Sequence, residues 1–236
     1  MGTLQGSNPD NNTIFELVRS LMYAITPPSN NPFTSQFRFM NIRHLGIYFP
    51  VDATFMSIIL RFDQLVSLKV TPYDSNHDFD YYAELQALLD RAPLLYSLIF
   101  RCWSRTSARI TPIEYSNSSV RRLDVQNIDQ CYNPEQCVAL IRSSWALQCQ
   151  VLCIAVENRL SILDLINAMT QLRLLNVLCQ DDPWNTDEHN QSSSKEDELI
   201  GWLQHHVPAT FAIVRNAEKS FNYDFKSCYS ILIWIG

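Results

Sequence analysis

The sequence predicts an α/β solenoid: a curved, mostly parallel sheet whose strands alternate with helices on the convex side. Three observations carry this expectation. The pattern apolar-x-x-Leu-x-apolar recurs at Ile42/Leu45/Ile47, Leu65/Leu68/Val70, Leu95/Leu98/Phe100, Val120/Leu123/Val125, Cys149/Leu152/Ile154 and Leu172/Leu175/Val177. Its central leucines are separated by 23, 30, 25, 29 and 23 residues, close to the roughly 20 to 29 that one strand plus one helix occupies. Most of the segments between the patterns carry helical rather than alternating periodicity. With 47% of residues hydrophobic, any single match arises by chance, so the spacing is what separates a repeat from noise.

Taken in order, residues 1–31 read as an N-terminal capping helix and linker, and residues 32–236 as the repeat domain. In "TIFELVRSLMYAITPP", Thr13 and Glu16 form a capping-box pair, and Ile14, Leu17, Val18, Leu21, Met22 and Ile25 share one helical face. Pro27 and Pro28 end that helix, which would cover the exposed end of the first repeat. "DATFMSIILRFD" places Phe55, Ile58, Ile59 and Phe62 at helical spacing behind Asp52 as N-cap. "DYYAELQALLDRAP" stops at Pro93, "NPEQCVALIRSS" has Pro134 in its first turn, and "LSILDLINAM" aligns Ile162, Leu165, Ile166 and Met169. The stretch from Arg105 to Ser119 has no helical period and reads as an irregular crossing. At the C-terminus, "EDELIGWLQHH" reads as a helix, and "ATFAIVR" and "SILIWI" close the far edge as a C-terminal cap.

These motifs, with "RAPLLYSL", "SSVRRLDV" and the terminal "ILIWI", resemble the irregular leucine-rich repeat region of F-box-type proteins over about Pro32 to Gly236. The resemblance implies a noncatalytic protein-protein interaction module, in its sharpest form the substrate-recognition part of a ubiquitin ligase component. Such proteins begin with a compact helical module that docks on the ligase adaptor, and residues 1–31 offer one helix in its place. A repeat scaffold unrelated to ubiquitin is the alternative within the same architecture.

Composition narrows the function classes. With five glycines and neither G-x-G-x-x-G nor G-x-x-x-x-G-K-[ST], no phosphate-cradling loop is indicated, and no cofactor is implied. An enzyme would need a Cys/His hydrolase-type site, but His44, His77, His189, His205 and His206 lie in unrelated contexts. Seven cysteines without a C-x-x-C pair predict reduced thiols and no zinc knuckle. There is no signal-peptide pattern or membrane-length apolar run, so a cytoplasmic or nuclear location is expected, with the sequons at Asn11, Asn117 and Asn190 left unmodified.

Charge is unevenly distributed along the chain. The segment 180–198, "QDDPWNTDEHNQSSSKEDE", holds seven acids and one lysine, and the remaining seventeen acids balance seventeen bases. It reads as an acidic loop with Trp184 as an apolar anchor. The opposite pole gathers Arg101, Arg105, Arg109, Arg121 and Arg122 against one acid, Glu114. Strand alternation turns Lys69, Arg101, Arg122 and Gln126 to the face opposite the core leucines. On later strands the same parity turns out Val151, Cys153, Ala155, Leu174 and Leu178. Lys69, Arg101, Arg122, Gln126, Leu174 and Leu178 are therefore the candidate partner-binding residues, for a protein partner of acidic character rather than nucleic acid or membrane. The acidic loop either lies over the arginines as an internal mimic of that partner or is an inert tether.

Overall fold

In the computed structural model, residues 13–15, 17–23, 37–49, 51, 55–72, 81–103, 112–128, 131–182, 197–220 and 228–236 are described. The chain is α/β, built on an open, nine-stranded, mostly parallel sheet. Seven strands run parallel: β2 (Ser20–Tyr23), β4 (His44–Phe49), β5 (Ser67–Pro72), β6 (Ser97–Trp103), β7 (Arg122–Ile128), β8 (Val151–Val156) and β9 (Leu174–Cys179). Each neighbours the next in sequence order. Two antiparallel strands, β10 (Ala212–Ser220) and β11 (Cys228–Trp234), finish the sheet, with β11 between β9 and β10. A separate two-stranded pair joins β1 (Thr13–Phe15) to β3 (Phe37–Phe39). Helices α1 (Phe55–Ile58), α2 (Tyr81–Asp90), α3 (Pro134–Arg142), α4 (Leu160–Ala168) and α5 (Glu198–His206) lie in the connections.

The register aligns the repeat. Leu21, Leu45, Leu68, Leu98, Leu123, Leu152 and Leu175 are successive partners in one row across seven strands, and the row continues into Ile233 and Ile213. The six central leucines from Leu45 onward are all 2% exposed or less. They form one contiguous core with Leu85, Leu88 and Leu89 of α2, Leu140 of α3, Leu165 of α4 and Leu203 of α5. The leucine face is therefore the one that the helices cover.

A backbone device repeats with it. Ahead of each of the six strands β4 to β9, one carbonyl accepts from two consecutive amides of the next chain segment. Arg19 O takes Arg43 N and His44 N, Arg43 O takes Val66 N and Ser67 N, and Val66 O takes Tyr96 N and Ser97 N. Tyr96, Arg121 and Gln150 do the same for Arg121/Arg122, Gln150/Val151 and Arg173/Leu174, and all twelve bonds fall between 2.7 and 3.0 Å. A carbonyl has two lone pairs, so both bonds are satisfied at once.

Local chemistry explains the helix ends. Asn133 and Gln136 make a reciprocal capping box ahead of Pro134. Asp197 caps α5 by accepting from Ile200 N at 3.1 Å. The carbonyls of Leu89 and Ala92, at and just beyond the end of α2, accept from Asn117 Nδ2 at 2.7 and 3.1 Å. The irregular stretch after β6 thus docks on α2, and Tyr115 packs 6.0 Å from Phe100.

Two expectations need correcting. The N-terminal segment is not a helix in its described part: Thr13–Phe15 and Ser20–Tyr23 are strands, and β2 pairs in parallel with β4. Its apolar positions satisfy both periods, since Val18/Leu21/Tyr23 is itself an apolar-x-x-Leu-x-apolar match, 24 residues before Leu45. The ladder available from β4 decides between them, because it gives the strand inter-strand hydrogen bonds and core contacts for Val18, Leu21 and Tyr23. The helix expected around Phe55–Phe62 is one α-turn followed by a 3₁₀ turn at Phe62–Gln64, because Ile59 is drawn into a bridge with Phe39. Its expected cap, Asp52, lies outside the described residues, as do Glu16, Trp184 and most of the acidic segment.

Leu98→Ala removes a fully buried side chain from the middle of the leucine row and is expected to cost about 2–5 kcal/mol, whereas Ser97→Ala on the opposite face changes stability by well under about 1 kcal/mol. Urea denaturation of both variants checks this, and equal losses would contradict the assigned strand faces.

Candidate interaction surface

The face of the sheet away from the helices is organised in two rows. One runs Ser67, Ser97, Arg122, Val151, Leu174 and Trp234; the other runs Gly46, Lys69, Ile99, Asp124, Cys153, Asn176, Leu232 and Val214. Residues paired across neighbouring strands point to the same side, so both rows belong to one surface. Arg101 joins it beyond an irregularity in the β6–β7 register, where its guanidinium lies 3.9 Å from the Asp124 carboxylate.

Asp124 is the hub of the cationic end. It is 5% exposed, and burial pushes its carboxyl above the usual aspartate range, opposed by Arg101, by the Gln126 backbone N–H, and then by Arg122 and Lys69. That N–H donates to Asp124 Oδ1 at 3.2 Å. Arg122 also approaches Cys153 Sγ at 4.0 Å. Arg101 is thus the ion-pair partner of this carboxylate, while Arg122 and Lys69 act on it at longer range, an arrangement with more positive than negative charge.

The predicted residues divide. Lys69, Arg101, Arg122 and Leu174 are half-buried and reach the surface. Gln126 and Leu178 do not: they are 6% and 1% exposed. Leu178 packs with Cys131, Ala155 and Cys228 in a small second cluster, so the late part of this face is partly closed by the chain itself. Alternation places a side chain on a face, but neighbouring strands and loops decide how much of it remains accessible. The apolar end extends instead onto the antiparallel strands. Trp234 and Val214 are 41% and 44% exposed, and Leu232 is half-buried. Sequence reasoning missed these residues because the pairing of β11 with β9 is nonlocal.

The ends of the acidic segment are held elsewhere. Arg215 on β10 donates to both carboxylate oxygens of Asp197, at 2.8 and 2.7 Å, to the buried Asp182, and to Tyr229 O at 3.2 Å. Arg159 bridges the adjacent pair, reaching Glu198 at 2.6 and 3.2 Å and Asp181 at 3.4 Å. Four of the seven acids therefore pair with arginines near β9 and β10 rather than with Arg101 or Arg122. The expectation that the acidic segment masks the Arg101 region fails for these four; its remaining acids lie outside the described residues.

Four described thiols are held in the neutral form. Burial raises Cys149 to about 11, Cys153 to about 12 and Cys228 to about 11, and raises Cys179 as well, with Asp181 adding to the effect. Asn117, within an N-x-S sequon, has its side-chain amide committed to the carbonyls beyond α2. No helix among the described residues is long and apolar enough to cross a membrane. No protein-family model matches the chain, and a search of curated proteins finds no match.

Two expected outcomes follow from the ion pairs. Arg215→Ala leaves Asp182 and Asp197 without their shared cation and should destabilise by about 3–5 kcal/mol. Arg159→Ala breaks partly exposed pairs and should cost about 1 kcal/mol or less. Thermal melts of the two variants separate these sizes.

Asp124→Asn tests the hub. A carboxyl raised on folding contributes stability that is complete below its unfolded pKa and lost as pH rises through the folded one. The parent should therefore lose stability relative to Asp124→Asn on going from acid toward neutral pH. Paired denaturation curves across that interval measure it, and a parent that gains relative stability would overturn the assignment.

Proposed function

We propose that the chain is a leucine-rich-repeat-type solenoid acting as a noncatalytic protein-binding module, and that it engages an acidic partner through Lys69, Arg101 and Arg122. The observation that carries this reading is the cationic end of the open sheet face, where Arg101 pairs with the buried Asp124 carboxylate and Arg122 and Lys69 lie within its electrostatic reach. Such an arrangement attracts an incoming carboxylate, while the aspartate limits mutual repulsion before binding. The in-register leucine row and its repeated backbone device support the repeat interpretation. The raised thiol pKa values favour binding over a cysteine-hydrolase reading.

The resemblance to F-box-type repeat regions makes substrate recognition for a ubiquitin ligase the specific form of the proposal, in a cytoplasmic or nuclear setting. Ligase recruitment is then the task of an adaptor-docking module, and partner choice the task of the repeat face. An unrelated repeat scaffold would use the same surface without the ligase.

Titration of the full chain with a labelled oligoglutamate peptide tests the binding reading. The double variant Arg101→Glu/Arg122→Glu should weaken binding by about tenfold, from two partly exposed charge contacts. Asp124→Asn should strengthen it, and both effects should shrink as added salt shortens the screening length to about 8 Å. Binding unchanged in both variants would remove the proposed role of the cations.

A further inference from the structure

We propose that this face binds a protein segment of mixed chemistry that runs across the strands, with carboxylates over Lys69, Arg101 and Arg122 and an aromatic or large aliphatic side chain over Leu174 and Trp234. The inference rests on the acid-binding reading and adds an apolar half and a spacing to it. From β8 to the sheet edge, the two rows contain Val151, Leu174, Trp234 and Ala212, then Cys153, Asn176, Leu232 and Val214. These eight positions include no charged residue. Trp234 and Val214 retain substantial exposure and Val151, Leu174 and Leu232 are half-buried, whereas Cys153 is buried; exposed apolar side chains grouped in this way mark interaction sites. The cationic end begins on the adjoining strand, since Arg122 is the register partner of Val151.

The two ends constrain the ligand together. A purely acidic segment would leave Trp234 in water, and a purely apolar one would bring no carboxylate to the three cations. Self-association through a twofold axis on the apolar end would pair apolar with apolar surface but would leave the cationic end of each copy without a carboxylate. A partner that is acidic at one end and apolar at the other avoids both losses. Arg122 and Trp234 are three strand steps apart, through Val151 and Leu174. At about 4.8 Å per step, this is about 14 Å, or about four residues of extended chain at roughly 3.3 Å each. The segment therefore carries its acids and its apolar anchor about four residues apart.

Three labelled synthetic peptides test this by fluorescence anisotropy on the full chain: glutamates joined through a Gly/Ser spacer of about four residues to Trp-Leu, glutamates with the spacer alone, and the spacer with Trp-Leu alone. The combined peptide should bind about tenfold or more tightly than the acid-only peptide, the gain expected from burying one large apolar side chain. Trp234→Thr should abolish that gain while leaving acid-only binding unchanged. Val214→Thr, on the edge strand, should reduce it and serves as the readout if Trp234→Thr does not fold. Arg122→Glu should weaken both acid-bearing peptides. Equal binding of the combined and acid-only peptides, both weakened by Arg122→Glu, would overturn the mixed-chemistry inference and leave the acid-binding reading standing. Insensitivity of both peptides to Arg122→Glu would overturn both. Equal binding of the combined and apolar-only peptides, or a dimer lost in Trp234→Thr by light scattering, would also overturn the mixed segment as occupant.

Discussion

The carbonyl that accepts two consecutive amides ahead of each strand from β4 to β9 is the constraint on which the other features depend. Arg19, Arg43, Val66, Tyr96, Arg121 and Gln150 each offer one oxygen to the backbone that begins the next strand. Two bonds from one acceptor fix both the position and the direction of the arriving chain. A slip of one residue would turn every side chain of that strand to the opposite face, burying Lys69 or Arg122 and exposing Leu68 or Leu123. Register, core and open face are thus consequences of the same backbone geometry, repeated with side chains that reinforce it.

The two faces use that register differently. On the helix side, each strand contributes a large aliphatic residue and each helix returns a stripe to meet it, giving one continuous core from Ile42 to Ile233. On the open side the residues vary along each row, from lysine and arginine through cysteine and asparagine to leucine and tryptophan. The packed side is thus uniform in aliphatic residues and the open side varied in chemistry. Asp124 marks the boundary between the two requirements, since it is buried like a core residue while its neighbours are cationic surface groups.

Much of this was legible in the sequence. Leu45 to Leu175 announced their strands because spacing and local pattern agreed, and parity assigned Leu98 and Arg122 to opposite faces. Tyr81–Asp90, Pro134–Arg142 and Leu160–Ala168 carried a helical period consistent with their structure. Ser20–Tyr23 did not, because its apolar residues fit a helix as well as a strand, and only the neighbouring β4 ladder distinguishes the two. Three other features were hidden for a related reason. The accessibility of Leu178 depends on Cys131 and Cys228, the apolar extension depends on the pairing of Trp234 with Leu174, and the arginine clamps join residues up to 39 positions apart. None of these nonlocal meetings leaves a periodic mark. Among the candidate site residues, chemistry and face were readable for Lys69, Arg101, Arg122 and Leu174, whereas exposure required the surrounding chain.

Arg159 and Arg215 also set where the polypeptide can change in length. Between Asp182 and Asp197 the chain leaves and returns to the same guanidinium, while Asp181 and Glu198 share the second one. Departure and return are therefore fastened by side chains at the rim of the sheet. In general, added length between two fastened points costs little, about 0.6 kcal/mol for each doubling of a flexible chain, and leaves the strand register untouched. By contrast, an added residue within β7 or β8 would have to be absorbed by a bulge or would reverse a row of side chains. The two clamps thus fasten the chain on either side of positions 183–196, so that a change of length between them need not disturb the strand register.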